Sequence, residues 1–391
     1  MRLLHTSDWH LGRQFHGASL LDEQAAAMDR IVELAAAAEV DAVLIAGDLY
    51  DRAIPPAEAV QLFNDTLARL RAGGAAVVAI AGNHDSHVRV SVYDPLLASL
   101  GVTIRGDVGR AHEPVLVAPR RGGEPVAVYP LPYLEPSVDG PALVADDPSP
   151  PARLRHEEVT RLALARIHAD RQRHACRRAV LVAHTFAAGG EACESERELT
   201  VGNVDRVSVE AFAGFDYVAL GHLHGAQELA GSRLAYSGTP LAYSFSEQHQ
   251  CKSVRLVELA GDGSISVERL PLGVGRPLRT LDGELETLLR DPRHSEAEQA
   301  RLRVILRDET LPLQAMARLR QRFPHVAELR HQPPALERSG AADRSNRVRQ
   351  ARSPLELAAA FFADQQGRAA SAAEAALLQE ALNAAAGGGD R

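Results

Sequence analysis

Five short stretches end an apolar run in side chains that can hold a metal. They are Asp8 and His10 in D-W-H, Asp48 and Asp51 in G-D-L-Y-D, Asn83, His84 and Asp85 in G-N-H-D, His184 in A-H, and His222 and His224 in G-H-L-H. A lone histidine after a strand is usually structural, and a turn can use Asn and Asp for its own backbone hydrogen bonds. Five such endings in one chain form a set. In an open α/β sheet the carboxyl ends of neighbouring strands share a rim where ligands bind. The donors mix carboxylate, imidazole and amide oxygen without thiolate, a chemistry that suits Mn²⁺, Fe²⁺ or Zn²⁺ better than Ca²⁺. They outnumber what one ion takes. Two ions sharing a carboxylate, ~3.5–4 Å apart, are built for phosphoester cleavage.

The elements that must carry these groups read as α/β. R-L-L-H, D-A-V-L-I-A-G-D, A-A-V-V-A-I-A, V-A-V-Y, R-R-A-V-L-V-A-H and F-D-Y-V-A-L-G-H are short apolar runs, the pattern of buried strands. Helical spacing covers about 20–39, 56–72 and 155–175. S-V-R-L-V-E-L and S-I-S-V-E-R-L flank Asp262-Gly263 as a hairpin. Residues 136–152 are rich in Pro and Asp and read as an exposed loop. The acidic stretch with Glu191, Glu194, Glu196 and Glu198 reads as solvated. From about 275 a small α/β unit follows, then a polar, Arg-rich linker. Two short helices close the chain, with Ser353-Pro354 and Ser371 as their starts.

Composition narrows the class. The 391 residues are 46% hydrophobic, enough for two or three domains. Three cysteines, Cys176, Cys193 and Cys251, are too few and too scattered for a disulfide framework, which fits a reducing cytoplasm. No apolar run reaches the ~18 residues of a membrane span, and no signal peptide is legible at the start. A net charge of −8 excludes a protein that coats nucleic acid non-specifically. Between 301 and 352, however, 12 Arg face five acids, a net of +7. That excess is either a solvated face or a local contact for phosphates.

The five motifs, in this order, resemble those of the calcineurin-like metallophosphoesterases. M-R-L-L-H-T-S-D-W-H-L-G-R, V-L-I-A-G-D-L-Y-D, A-G-N-H-D-S, D-Y-V-A-L-G-H-L-H and Y-S-G-T-P-L-A-Y-S-F-S-E narrow the resemblance to the SbcD family over residues 1–260. These are the nuclease subunits of bacterial SbcC–SbcD complexes, counterparts of the Mre-type repair nucleases. The resemblance implies a two-sheet β-sandwich flanked by helices, a small α/β capping domain and C-terminal helices. It implies a nuclease domain over 1–272, a DNA-positioning cap over 273–335, a linker over 336–352, and helices over 353–391 that dock the SbcC-type ATPase.

It also implies two divalent ions, Mn²⁺ first among them. Asp8, His10, Asp48 and His224 would hold one ion. Asp48, Asn83, His184 and His222 would hold the other, with Asp48 bridging. His84 would face the scissile phosphate, and Asp85 would hydrogen-bond and orient His84. Asp51 reads as a support rather than a ligand, one that steadies His10 or a metal-bound water. The implied activity is ATP-dependent double-strand 3′–5′ exonuclease and single-strand or hairpin endonuclease action in DNA repair and recombination. The implied partners are DNA ends and hairpins, the ATPase and a second copy of the nuclease, making a homodimer within a heterotetramer. The helices near 56–72 and 90–100 are candidates for that dimer contact. The donor set alone leaves two other readings open: a phosphoesterase for nucleotides or phosphoproteins, and a non-catalytic assembly module.

Overall fold

The computed structural model describes the chain except residues 146, 148, 150, 152, 174–176, 197–205, 335–352, 367 and 388–391. The expected linker, Cys176 and Glu198 thus lie outside the described residues. The chain divides into two compact units, Met1–Pro277 and Leu278–Arg391.

Twelve strands build the first unit's two six-stranded sheets. In chain order they are β1 Arg2–Thr6, β2 Ala42–Ile45, β3 Ala76–Ile80, β4 Val102–Arg105, β5 Val115–Val117, β6 Val126–Leu131, β7 Ala179–His184, β8 Tyr217–Gly221, β9 Gln227–Glu228, β10 Leu234–Tyr236, β11 Ser253–Leu259 and β12 Ile265–Pro271. One sheet has the order β12-β11-β1-β2-β3-β4, the other β9-β10-β8-β7-β6-β5. Strands β1 to β4 are mutually parallel, as are β6, β7, β8 and β10. The expected hairpin is β11–β12, antiparallel with Ser253 opposite Pro271.

The strands read as unbroken apolar runs because both faces are covered. In β7, Val180 and Val182 face the other sheet and join Leu3, Leu44, Val78 and Val128 in the inter-sheet core. Leu181 and Ala183, on the opposite face, pack with Val159, Leu164 and Ile167 of the helix His156–Arg173. This is the period-two alternation of a pleated strand. The helices Leu21–Ala37 and Ala57–Ala72 fall where helical spacing predicts them. One expectation fails: the stretch read as a loop over 136–152 begins with a helix, Pro136–Leu143. Its Pro136 occupies the first turn, where a missing N–H costs nothing.

The second unit has a three-stranded parallel sheet of Leu278–Gly283, Arg301–Leu306 and Val326–His331. Leu285, Leu302, Val304, Leu319 and Phe323 form its core. Several of its described arginines are paired within the unit: Arg303 with Glu328, Arg307 with Asp282, Arg318 with Glu286 and Arg322 with Glu298. The basic excess is therefore partly neutralised by acids that precede residue 301. Helices Pro354–Gln366 and Ala372–Gly387 close the chain. Ser371 and Glu374 exchange hydrogen bonds as a capping box.

Candidate metal centre

The strand ends deliver the donors as the carboxyl-edge rule requires. Asp8 and His10 follow β1, Asp48 follows β2, and Asn83 and His84 follow β3. His184 ends β7, and His222 and His224 follow β8. The backbone there is bent to order. Asp8, His10, Asp48 and His222 all have positive φ, at 53°, 45°, 47° and 106°. Such conformations cost on the order of 1–3 kcal/mol each and persist only where the surroundings over-determine them. Hydrogen bonds between neighbouring strand ends do so here. Asp8 N donates to Gly47 O at 3.0 Å, His10 N to Asp48 O at 2.9 Å, and His222 N to Asp8 Oδ1 at 3.0 Å.

Two glycines explain why these motifs begin as they do. A Cβ on Gly47, whose φ is +86°, would stand 2.2 Å from His184 Nδ1. One on Gly82 would stand 2.1 Å from Asp48 Oδ1.

The side chains converge. The ligand atoms of Asp8, His10 and His224 lie within 4.8 Å of one another, as do those of Asp8, Asp48 and His184, and those of His10, Asp48 and His84. Asn83 Oδ1 joins the set at 2.9 Å from His184 Nε2 and 3.1 Å from His222 Nδ1. Asp8, His10, Asp48, His184, His222 and His224 are buried, whereas Asn83 and His84 are partly exposed at the open side.

Hydrogen bonds fix several protons. His184 Nδ1 donates to Ala46 O at 2.8 Å, so its Nε2 is a bare lone pair. That lone pair faces an amide oxygen, and the amide's Nδ2 is buried without a partner. Two acceptors at 2.9 Å repel unless a cation lies between them. Burial lowers the pKa of His10, His184, His222 and His224, keeping the rings neutral as ligands must be. Burial, and then the nearby Asp48 carboxylate, raises that of Asp8. Two carboxylates brought together away from water need a compensating charge. The residues therefore fit divalent ions.

Two expectations need correction. Asp85 does not orient His84. Its carboxylate accepts from three backbone N–H groups, Leu49 at 3.0 Å, Tyr50 at 3.0 Å and Gly82 at 2.9 Å, and so ties the Asp48 loop to the Asn83 loop. Burial and the Asp48 charge push its pKa up to about 7. His84 is instead fixed by donating Nδ1–H to Asp51 O at 2.8 Å. The Asp51 carboxylate lies 3.8 Å from His10 Nδ1 and 3.3 Å from Arg13 Nη1. Nor is the acidic loop wholly solvated. Glu196 Oε1 accepts from His224 N at 2.6 Å, and burial raises its pKa to about 7.

Sequence reading also passes over Ser7, whose hydroxyl donates to Asp8 Oδ2 at 2.6 Å, and Ser195, Glu247 and Lys252 behind His224. Glu247 closes the Y-S-G-T-P-L-A-Y-S-F-S-E stretch, which is a signal of sorts. Nothing local marks Ser195.

A sandwich of parallel-stranded sheets with this donor rim defines a calcineurin-like phosphoesterase, and the model of that family matches residues 1–226. The family model described as the type 5 capsule protein repressor C-terminal domain matches residues 274–366. The chain is 34% identical over 300 residues to the SbcD component of the SbcCD nuclease of Escherichia coli K12, covering 74% of this chain and 72% of that one. It is 36% identical over 282 residues to its counterpart in Bacillus subtilis 168, covering 71% of each, and 31% identical over 333 residues to that of Staphylococcus saprophyticus, covering 85% of each. The chain belongs to the SbcD family of calcineurin-like phosphoesterases, whose chemistry uses divalent metals.

Proposed function

We propose that this chain is the two-metal DNA nuclease subunit that acts with an SbcC-type ATPase on DNA ends and hairpins. The observation that carries the reading is the buried rim of neutral imidazoles, carboxylates and one amide oxygen beneath a partly exposed His84. Asp8, His10, Asp48 and His224 would hold one ion, and Asp48, Asn83, His184 and His222 the other. The mixed nitrogen and oxygen donors suit Mn²⁺. Bound there, two such ions would supply a nucleophile at neutral pH and offset charge on the phosphate.

The chain's own groups do the rest. His84 commits Nδ1–H to Asp51 O, which leaves Nε2 as the nitrogen that meets substrate. Protonated there, it donates to the phosphate or the leaving oxygen. His84→Ala is expected to lower turnover by about 10²–10⁴-fold, while titration calorimetry still finds two Mn²⁺.

The layout of the chain follows from the same reading. Residues 1–272 are the nuclease domain, 273–335 a cap that positions DNA, 336–352 a linker, and 353–391 the helices that dock the ATPase. Leu357, Phe361 and Leu377 leave apolar surface on those helices for a partner. Val88, Val92, Tyr93, Leu96 and Leu100 are all more than half exposed, a patch suited to a second copy and hence to a homodimer within a heterotetramer. Among the described residues no helix is long and apolar enough to cross a membrane. A DNA substrate and an ATPase partner place the work in the cytoplasm.

The test is a nuclease assay on linear and hairpin DNA in Mn²⁺, with and without the ATPase and ATP, alongside His84→Ser. Mn²⁺-dependent cleavage lost in the variant is the expected result. Intact DNA with hydrolysis of a small phosphodiester would overturn the DNA reading and keep the metal centre.

A further inference from the structure

Behind His224 runs a chain of hydrogen bonds whose proton positions can be worked out. Glu247 is buried and paired with Lys252, so it is a carboxylate and only accepts. It is saturated with donors: Tyr243 N at 3.2 Å, Ser244 Oγ at 3.0 Å, Thr239 Oγ1 at 3.4 Å, Lys252 Nζ and Ser195 Oγ at 2.6 Å. Ser195 therefore spends its one proton on Glu247. Its Oγ also lies 2.5 Å from His224 Nδ1, and with its own proton spent it can only accept there. His224 must then carry its proton on Nδ1, leaving Nε2 as a bare lone pair directed at the centre, 3.1 Å from His10 Nε2.

The loop is held in place for this task. Arg13 Nη2 donates to Ser195 O at 2.8 Å, with its guanidinium over the Tyr243 ring. His224 N donates to Glu196 on the same loop.

We propose that Ser195, set by the Glu247–Lys252 pair, is a positioning residue that locks His224 into the Nδ1–H tautomer and so presents Nε2 to a metal. Without Ser195 the Nδ1–H has lost its acceptor, and the ring gains by flipping its proton to Nε2 and donating to His10. That state closes the ligand position. The inference rests on the two-metal reading and names the group behind one of its ligands.

The experiment is calorimetric titration of the full chain with Mn²⁺, comparing wild type, Ser195→Ala and Ser195→Thr, with thermal unfolding of each in EDTA. Removing the hydrogen-bond partner of a ligating histidine typically weakens metal binding about 10–100-fold. Ser195→Ala is expected to lose that much for one Mn²⁺ and little for the other, with its metal-free melting temperature unchanged. Ser195→Thr, which keeps the hydroxyl, is expected to restore binding. If wild type binds two Mn²⁺ and Ser195→Ala binds both as tightly, the inference falls alone. A loss shared equally by both ions together with a lower metal-free melting temperature would also overturn it, in favour of a merely structural serine. Wild type that binds no Mn²⁺ would overturn the two-metal reading and this inference with it.

Discussion

Asp85 shows how a residue can sit in a catalytic motif and do structural work. A carboxylate that receives three buried backbone N–H groups leaves three orphan donors when removed, and each unsatisfied buried group costs about 1–3 kcal/mol. Asp85→Ala is thus expected to lose roughly 3 kcal/mol or more of stability in urea unfolding, whereas His84→Ala is expected to lose little. Equal stability for Asp85→Ala and wild type would refute this structural role.

His5 is a second residue whose work is structural. It is buried, with Nε2 donating to Leu220 O at 3.1 Å and Nδ1 accepting from Tyr217 OH at 2.8 Å, and burial lowers its pKa to about 3. Because the folded pKa lies below the ordinary value, the unfolded chain binds the extra proton. The stabilisation is full above pH ~6.5 and drains as pH falls toward 3. Between pH 6 and 4.5 the metal-free protein should lose about 1.4 kcal/mol per pH unit more than His5→Asn does. Parallel stability curves for the two proteins would refute this.

At the scale of elements, the strand ends were legible and their supports were not. The apolar runs and the Gly-Asp, Gly-Asn-His-Asp and Gly-His-x-His endings announce themselves because strand burial and ligand chemistry both leave local signals. Pairings such as Ser195 with His224, or Asp85 with Leu49 and Tyr50, join residues 29 and about 35 positions apart. No periodicity reaches across such gaps. The helix at Pro136 was hidden for the opposite reason, since its local composition is that of a turn.

The glycines belong to this scale, for they set how closely one strand end approaches the next. Gly82→Ala pushes a methyl group into Asp48, a displacement that overpacking costs put at about 1–3 kcal/mol. Mn²⁺ affinity should fall with it, because Asp48 is the donor proposed to serve both ions. Gly261→Ala, at a turn with nothing within 4 Å of the new methyl, is the control and should match wild type in both calorimetry and unfolding. If the two variants behave alike, close approach is not the reason for glycine at 82.

For the whole molecule, the centre stores a cost that folding alone does not repay. Four left-handed backbone positions, neighbouring carboxylates and facing acceptor atoms are gathered in the unit Met1–Pro277, and the proposed pair of divalent cations would relieve the charges directly. Ions that bind the folded chain and not the unfolded one stabilise it by mass action, about 2.7 kcal/mol per site at a hundredfold excess over Kd. Scanning calorimetry in EDTA and in saturating Mn²⁺ should therefore show the main transition rising by several degrees with metal. The second unit has its own core and supplies none of the donors, so any transition resolved for Leu278–Arg391 alone should stay where it is. The donors also predict a pH dependence of this shift. Their rings are held neutral by burial, so as pH falls from ~7.5 to ~6 the proton that competes with Mn²⁺ is the one on Asp8, whose pKa burial and Asp48 raise, and Mn²⁺ affinity should fall by no more than about tenfold per pH unit. A fall steeper than one competing proton allows would mean that the imidazoles are not shielded as their burial requires.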